Sequence, residues 1–228
     1  MKFDAIIFDF DGVLIESEYA GNRHLAQYLT DLGHPTTPAE AMARFMGLSG
    51  SDFRGAVERH IGRNLPEDFY ASRDAEDARV LREGLDQVAG AVAFVRSLPA
   101  ELPRAIASSS SVDWIAAHLD HLALRDAFGD HLYSGKQHVT RGKPAPDLYL
   151  YAAAQLGVPI ARCVVLEDSP VGATGAVASG AHVIGLCAGM HCPPDHAATL
   201  RALGVQDVAA DFDEVARLVG VGADVEAE

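Results

Sequence analysis

Asp9 and Asp11 stand two residues apart directly after the apolar run Ala5, Ile6, Ile7, Phe8, and Gly12 follows them. The two-residue period of a strand can aim both carboxylates at one ligand. Carboxylates so placed repel unless a cation intervenes, although an Asp-x-Asp-Gly taken alone also describes a turn closed by Asx hydrogen bonds. Glu167 and Asp168 end a second apolar run, Cys163 to Leu166, in the same way. Helix capping is the plain alternative for them, yet Ser169 and Pro170 already supply an N-cap and a first-turn proline. Four acids at one sheet edge imply a hard cation. Mg²⁺ is favoured, because it is held by one or two carboxylates with water and substrate phosphate.

Two further residues suit an anion beside that cation. Lys143 lies in the stiff stretch Arg141-Gly142-Lys143-Pro144-Ala145-Pro146-Asp147, with Asp147 expected to cap the next helix, and the only other lysines are Lys2 and Lys136. A lysine is usually a solvated surface group, but an ammonium beside a carboxylate pair binds phosphate and damps repulsion between nucleophile and phosphoryl group. Ser108, with Ser109 beside it, follows the run Ala105-Ile106-Ala107 and could cradle phosphate oxygens with neighbouring N–H groups. A serine run is equally an ordinary polar loop.

These residues need a scaffold that brings strand ends together. Ala5 to Phe8, Ala105 to Ala107, Cys163 to Leu166 and His182 to Ile184 are short apolar runs that end in polar loops, the pattern of parallel strands buried on both faces. Helical patterns alternate with them: Leu148, Tyr149, Ala152 and Leu156 closed by Gly157, and Pro170 to Ser179 closed by Gly180. The fold class expected is α/β, a Rossmann-like doubly wound parallel sheet that gathers its ligand outside the carboxyl ends of the strands.

Residues 16–85 carry helical periodicity and no strong strand run. Leu25, Tyr28, Leu29 and Leu32 share a face ended by Gly33, and Thr37, Pro38 and Glu40 form a capping-box start for a helix with Met42, Phe45 and Met46. The expected organisation is an α/β core at 1–15 and 86–228 with an inserted helical cap at 16–85, acting as a lid. The tail after Gly220 is expected to fray.

Composition limits the function. A chain of 228 residues accommodates one core and a modest insertion, and 49% hydrophobic with 22% charged residues excludes disorder, collagen and coiled coil. No apolar run approaches membrane-spanning length and the first residues lack a signal-peptide layout, so a cytoplasmic protein without a membrane partner is expected. The formal charge of −14 argues against a grip on nucleic acid. Cys163, Cys187 and Cys192 lack paired metal spacing and fit reduced thiols. His191, Cys192 and His196 match no tight zinc template and read as an ordinary loop, and Trp114 reads as packing.

The order Asp9-Phe10-Asp11-Gly12-Val13, Ser108, Lys143-Pro144 and Glu167-Asp168 resembles the four motifs of the haloacid dehalogenase (HAD) superfamily across nearly the whole chain. Lys143 to Asp147 and Leu166 to Ser169 are similar to the β-phosphoglucomutase-like phosphatase branch with a helical cap. The resemblance implies that Asp9 attacks phosphorus to form an aspartyl phosphate. Asp11 then protonates the leaving alcohol and later activates water. It further implies Mg²⁺ held by Asp9, Asp11 through its backbone carbonyl, and Asp168, with Glu167 in support. Ser108 and Lys143 would bind the transferring group. Apart from the resemblance, His24, Arg44 and Arg54 are the cap residues expected to grip substrate.

The expected function is hydrolysis of a small phosphorylated metabolite, most simply a sugar phosphate, by a monomer. A hexose phosphate mutase is the nearest alternative. Against it, Gly21 and Gly50 fall where the mutase carries a histidine and an arginine, and the cap holds no lysine. Phosphonate cleavage would also need a cap lysine. A receiver-like phospho-accepting protein is about half this length and carries its phosphorylated Asp on a later strand. A silent binding protein would not need all four motif positions filled.

Overall fold

A computed structural model describes residues 2–46, 48 and 50–221. Apart from Val221, the tail expected to fray lies outside the described residues. The chain divides into two compact units, Met1–Glu16 with Asp86–Glu228, and Ser17–Leu85.

In chain order, β1 (Ala5–Phe8) precedes the helical unit of α1 (Ser17–Asp31), α2 (Pro38–Phe45), α3 (Gly50–Ile61) and α4 (Phe69–Glu83). The α/β unit resumes with α5 (Ala91–Ser97), β2 (Arg104–Ser108), α6 (Val112–His121), α7 (Arg125–Phe128) and β3 (Leu132–Ser134). It continues through α8 (Asp147–Leu156), β4 (Cys163–Glu167), α9 (Pro170–Ser179) and β5 (His182–Leu186). Last come α10 (His196–Ala202), β6 (Asp207–Ala209) and α11 (Phe212–Val219).

The six strands form one parallel sheet in the order β3-β2-β1-β4-β5-β6. Strand order runs outward from β1 in both directions, so right-handed crossovers place helices on opposite faces. On one face Ile7, Ala107 and Val165 pack with Tyr149 and Ala152 of α8 and Ala173 and Ala176 of α9. On the other, Phe8 meets Phe94 of α5 and Phe128 of α7 edge to face, and Phe94 meets Phe212 of α11. All four β1 side chains are fully buried, which is why that strand is apolar without alternation. Burial of each large one contributes about 1.5–3 kcal/mol.

Strands β3 and β6, three residues each, carry no readable pattern of their own and form by pairing with β2 and β5. The expected boundary put Glu16 in the insertion. In the fold its amide donates to the Asp86 carbonyl at 2.9 Å and its carboxylate accepts the Met190 amide at 3.0 Å, so it belongs to the α/β unit.

Within the helical unit, Leu25 and Leu29 of α1 pack with Ala41 and Phe45 of α2, Val57 and Ile61 of α3, and Phe69 of α4. The capping box forms: Thr37 Oγ1 accepts the Glu40 amide at 3.2 Å while the Thr37 amide donates to Glu40 Oε2 at 2.8 Å. No helix among the described residues is long and apolar enough to cross a membrane.

Candidate functional site

The carboxyl ends of β1, β2 and β4 lie side by side, because Phe8 pairs with both Ile106 and Leu166. The residues that follow therefore meet at one edge. The Asp9 amide donates to the Leu166 carbonyl at 2.9 Å, extending the ladder one residue past β1 and fixing where the Asp9 side chain begins.

Asp9, Glu167 and Asp168 are buried, and one carboxylate oxygen from each lies within 4.8 Å of the others. Lys143 Nζ donates to Asp9 Oδ1 and to Glu167 Oε1, each at 2.6 Å, with only 4% of the lysine side chain exposed. The Tyr149 hydroxyl donates to the same Glu167 oxygen at 2.6 Å, and Lys143 Nζ sits 5.2 Å from the centre of the Tyr149 ring. Glu167 Oε2 accepts the amide and hydroxyl of Ser169, each at 3.1 Å. Ser169 in turn caps α9 by accepting the Gly172 amide. A Cβ on Gly172 would overlap the Glu167 carboxylate, so only glycine lets α9 pack this close.

The electrostatics follow from burial. Desolvation pushes the Asp9 carboxyl well above the usual range, Glu167 and Asp168 push it further, and Lys143 opposes them. Desolvation disfavours the Lys143 charge, but Asp9 and Glu167 overcome it and hold the ammonium well above its usual value. The one ammonium thus pairs with two of the three carboxylates. Hard oxygen donors at this spacing, with negative charge left over, suit a small divalent cation.

Asp168 is held from behind. His191 Nε2 lies 2.8 Å from Asp168 Oδ2, and His196 Nε2 meets the Asp168 carbonyl. Gly12, at φ +78°, allows the approach, since a Cβ there would overlap the Asp168 carboxylate and crowd the His191 ring. These histidines therefore pack around an acid of the cluster, which corrects the reading of their segment as an ordinary loop.

The Asp11 carboxylate points elsewhere. Ser108 Oγ and Ser110 Oγ donate to Oδ2 at 3.2 and 2.7 Å, and Trp114 Nε1 donates to Oδ1 at 3.1 Å. Among the described residues the carboxylate group that could hold a metal comprises Asp9, Glu167 and Asp168, not Asp11. Any share of Asp11 in a cation site falls to its backbone. Trp114, expected only to pack, is a hydrogen-bond donor. Ser109 is exposed beside these residues. Asp147 does not cap α8; it receives Arg141 in a two-pronged pair at 3.0 and 2.9 Å.

Arg44 and Arg54 belong to the helical unit. Arg44 is exposed in the last turn of α2, and Arg54 of α3 donates to Glu58 at 3.0 Å.

Ser110, Trp114, Tyr149, His191 and His196 escaped the sequence reading. A signal existed for Trp114, the single tryptophan of the chain, placed three residues after a serine able to cap its helix. Tyr149 looked apolar by periodicity, but a buried tyrosine needs a partner for its hydroxyl.

The chain matches the family model described as haloacid dehalogenase-like hydrolase over residues 3–180. It is 29% identical over 195 residues to 6-phosphogluconate phosphatase of Escherichia coli (strain K12), covering 85% of this chain and 86% of that protein. To the probable pseudouridine-5'-phosphatase of Drosophila melanogaster it is 31% identical over 188 residues, covering 80% and 81%. Among solved structures, a HAD family hydrolase from Deinococcus radiodurans R1, crystallised with bound phosphate and sodium, superimposes with a TM-score of 0.86 at 35% identity. That match covers 97% of each chain.

Proposed function

The chain belongs to the haloacid dehalogenase-like hydrolases and is a phosphoric monoester hydrolase, and from that premise we propose that it is a Mg²⁺-dependent phosphatase of a small phosphorylated metabolite, a sugar phosphate above all, working through an aspartyl phosphate on Asp9. The observation that carries this reading is the buried convergence of Asp9, Glu167, Asp168 and Lys143 at the ends of β1 and β4.

Asp9 attacks phosphorus, the bond from phosphorus to the leaving oxygen breaks, and that oxygen takes the proton of Asp11. In the second step Asp11 takes a proton from water as the water attacks phosphorus, and the bond to Asp9 breaks to release inorganic phosphate. Dividing one slow displacement into two is the gain from a covalent intermediate. Asp11 serves both steps because its carboxylate, held by Ser108, Ser110 and Trp114, lies apart from the acid cluster. Lys143 and Ser108 bind oxygens of the transferring group, with Ser109 beside them. Asp9, the Asp11 backbone carbonyl and Asp168 would hold Mg²⁺, with Glu167 in support. When bound, the ion offsets the charge of the acids and of the phosphoryl group, so that an anion can approach an anion.

Substrate choice is assigned to the helical unit, with Arg44 and Arg54 as the cations proposed to grip the substrate. The relatives named for 6-phosphogluconate and for pseudouridine-5'-phosphate support a small phosphorylated polyhydroxyl compound.

A phosphate-release screen with Mg²⁺ over phosphorylated sugars, sugar acids, polyols and nucleotides tests the reading, with Asp9→Asn as control. Turnover concentrated on sugar or polyol phosphates and abolished in Asp9→Asn is expected. Flat, feeble release across the panel, or an isomer formed without phosphate, would overturn it.

A further inference from the structure

We infer that Ser110 and Trp114 are positioning residues that fix the Asp11 carboxylate for proton transfer, an inference that rests on the reading of Asp11 as the acid for the leaving alcohol. Donors reach both oxygens of this carboxylate: Ser108 and Ser110 on Oδ2, Trp114 on Oδ1. A donor on each oxygen sets the plane of the group, whose terminal torsion is otherwise broad.

The segment that supplies these donors is built for it. Ser108 ends β2, and its hydroxyl accepts the Ser110 amide at 2.9 Å, which folds the loop back toward Asp11. Ser111 caps α6 and accepts the Trp114 amide at 3.3 Å, so the indole projects from the first turn of a helix anchored at its start. One turn further on, His118 packs edge to face against that indole with ring centres 4.3 Å apart. His118 is fully buried and, among the described residues, neither ring nitrogen finds a hydrogen-bond partner, so it serves as a wall behind Trp114.

The chemistry of the donors fits the task. An indole N–H donates and cannot accept, so Trp114 holds Asp11 without competing for the proton being moved. Ser108 has a second claim on its hydroxyl, since the transferring phosphoryl group is proposed to bind it. When that group arrives, Ser110 and Trp114 are the donors left to Asp11.

The test uses leaving groups. A glycerol alkoxide needs a proton on departure, whereas p-nitrophenolate leaves without one. The quantity compared is kcat/KM for β-glycerophosphate against p-nitrophenyl phosphate, in the wild type and in Trp114→Phe, Ser110→Ala, Ser110→Thr and Asp11→Asn. Trp114→Phe and Ser110→Ala should each lose about tenfold on the alkyl substrate and several times less on the aryl one, while Ser110→Thr, which keeps the hydroxyl, stays near wild type. Equal losses on both substrates in Trp114→Phe and Ser110→Ala, while Asp11→Asn still loses far more on the alkyl substrate than on the aryl one, would overturn the positioning role and leave Asp11 as the acid. Equal losses on both substrates in Asp11→Asn itself would overturn the reading of Asp11 and this inference with it.

Discussion

Asp9 Oδ1 and Lys143 Nζ lie 2.6 Å apart although 134 residues separate them in the chain. The contact exists because β1 ends at the sheet edge where the loop before α8 delivers its lysine. The same ammonium reaches Glu167 beyond β4. One cation thus joins two acids that would otherwise face each other across the strand ends, and both partners are out of water.

Removing one side of a buried pair leaves its partner charged and unpaired, at a cost of about 3–5 kcal/mol. Lys143→Ala should show that loss in urea unfolding without metal, and excess Mg²⁺ should recover part of it. Equal stability of wild type and variant without metal would show that the pair is not held as described.

Metal should act on stability as well as turnover. At a hundredfold excess over its dissociation constant, a ligand specific to the folded state stabilises by about 2.7 kcal/mol, a rise in Tm of roughly 5–10 °C for a protein of this size. Thermal scans with Mg²⁺ and with chelator should differ by that amount in the wild type and much less in Asp168→Asn. A chelated enzyme that keeps its Tm and its turnover would contradict the cation site.

His118 should give the fold an acid sensitivity of its own. Burial lowers its imidazole below the ordinary 6.5, with His121 acting in the same direction and the Asp11 charge opposing. As pH falls through 6.5 the unfolded chain takes up a proton that the folded ring resists, so the unfolded state binds more protons and stability drops. His118→Leu lacks this dependence. Its stability relative to wild type should rise by up to about 1.4 kcal/mol per pH unit below 6.5 until the folded ring also titrates. Parallel urea-unfolding curves from pH 7.5 to 5 would rule this out.

The sheet core was legible where burial on both faces leaves an unbroken apolar run, and β1 matches its run residue for residue. Helix ends were legible where a cap has a chemical signature, as at Thr37 and Ser169. Edge strands β3 and β6 were not, because three residues that fold by pairing carry no periodicity. At the site, acids and the lysine declared themselves by type. Their supports did not: Tyr149 and Trp114 resemble packing, and His191 and His196 gain meaning only when the loop after β5 brings them to Asp168. The serine run was ambiguous too, since nothing in four successive serines marks Ser110 as a donor to Asp11.

The covalent step can be caught by separating the two halves of the reaction. In Asp11→Asn, p-nitrophenyl phosphate can still phosphorylate the enzyme because its leaving group needs no proton, while hydrolysis of the intermediate lacks its base. Rapid mixing should release a burst of nitrophenolate close to one per chain, followed by a slow phase, and acid-quenched protein should carry a phosphoryl group on the peptide containing Asp9. Steady release with no burst and an unmodified Asp9 peptide would contradict the aspartyl phosphate.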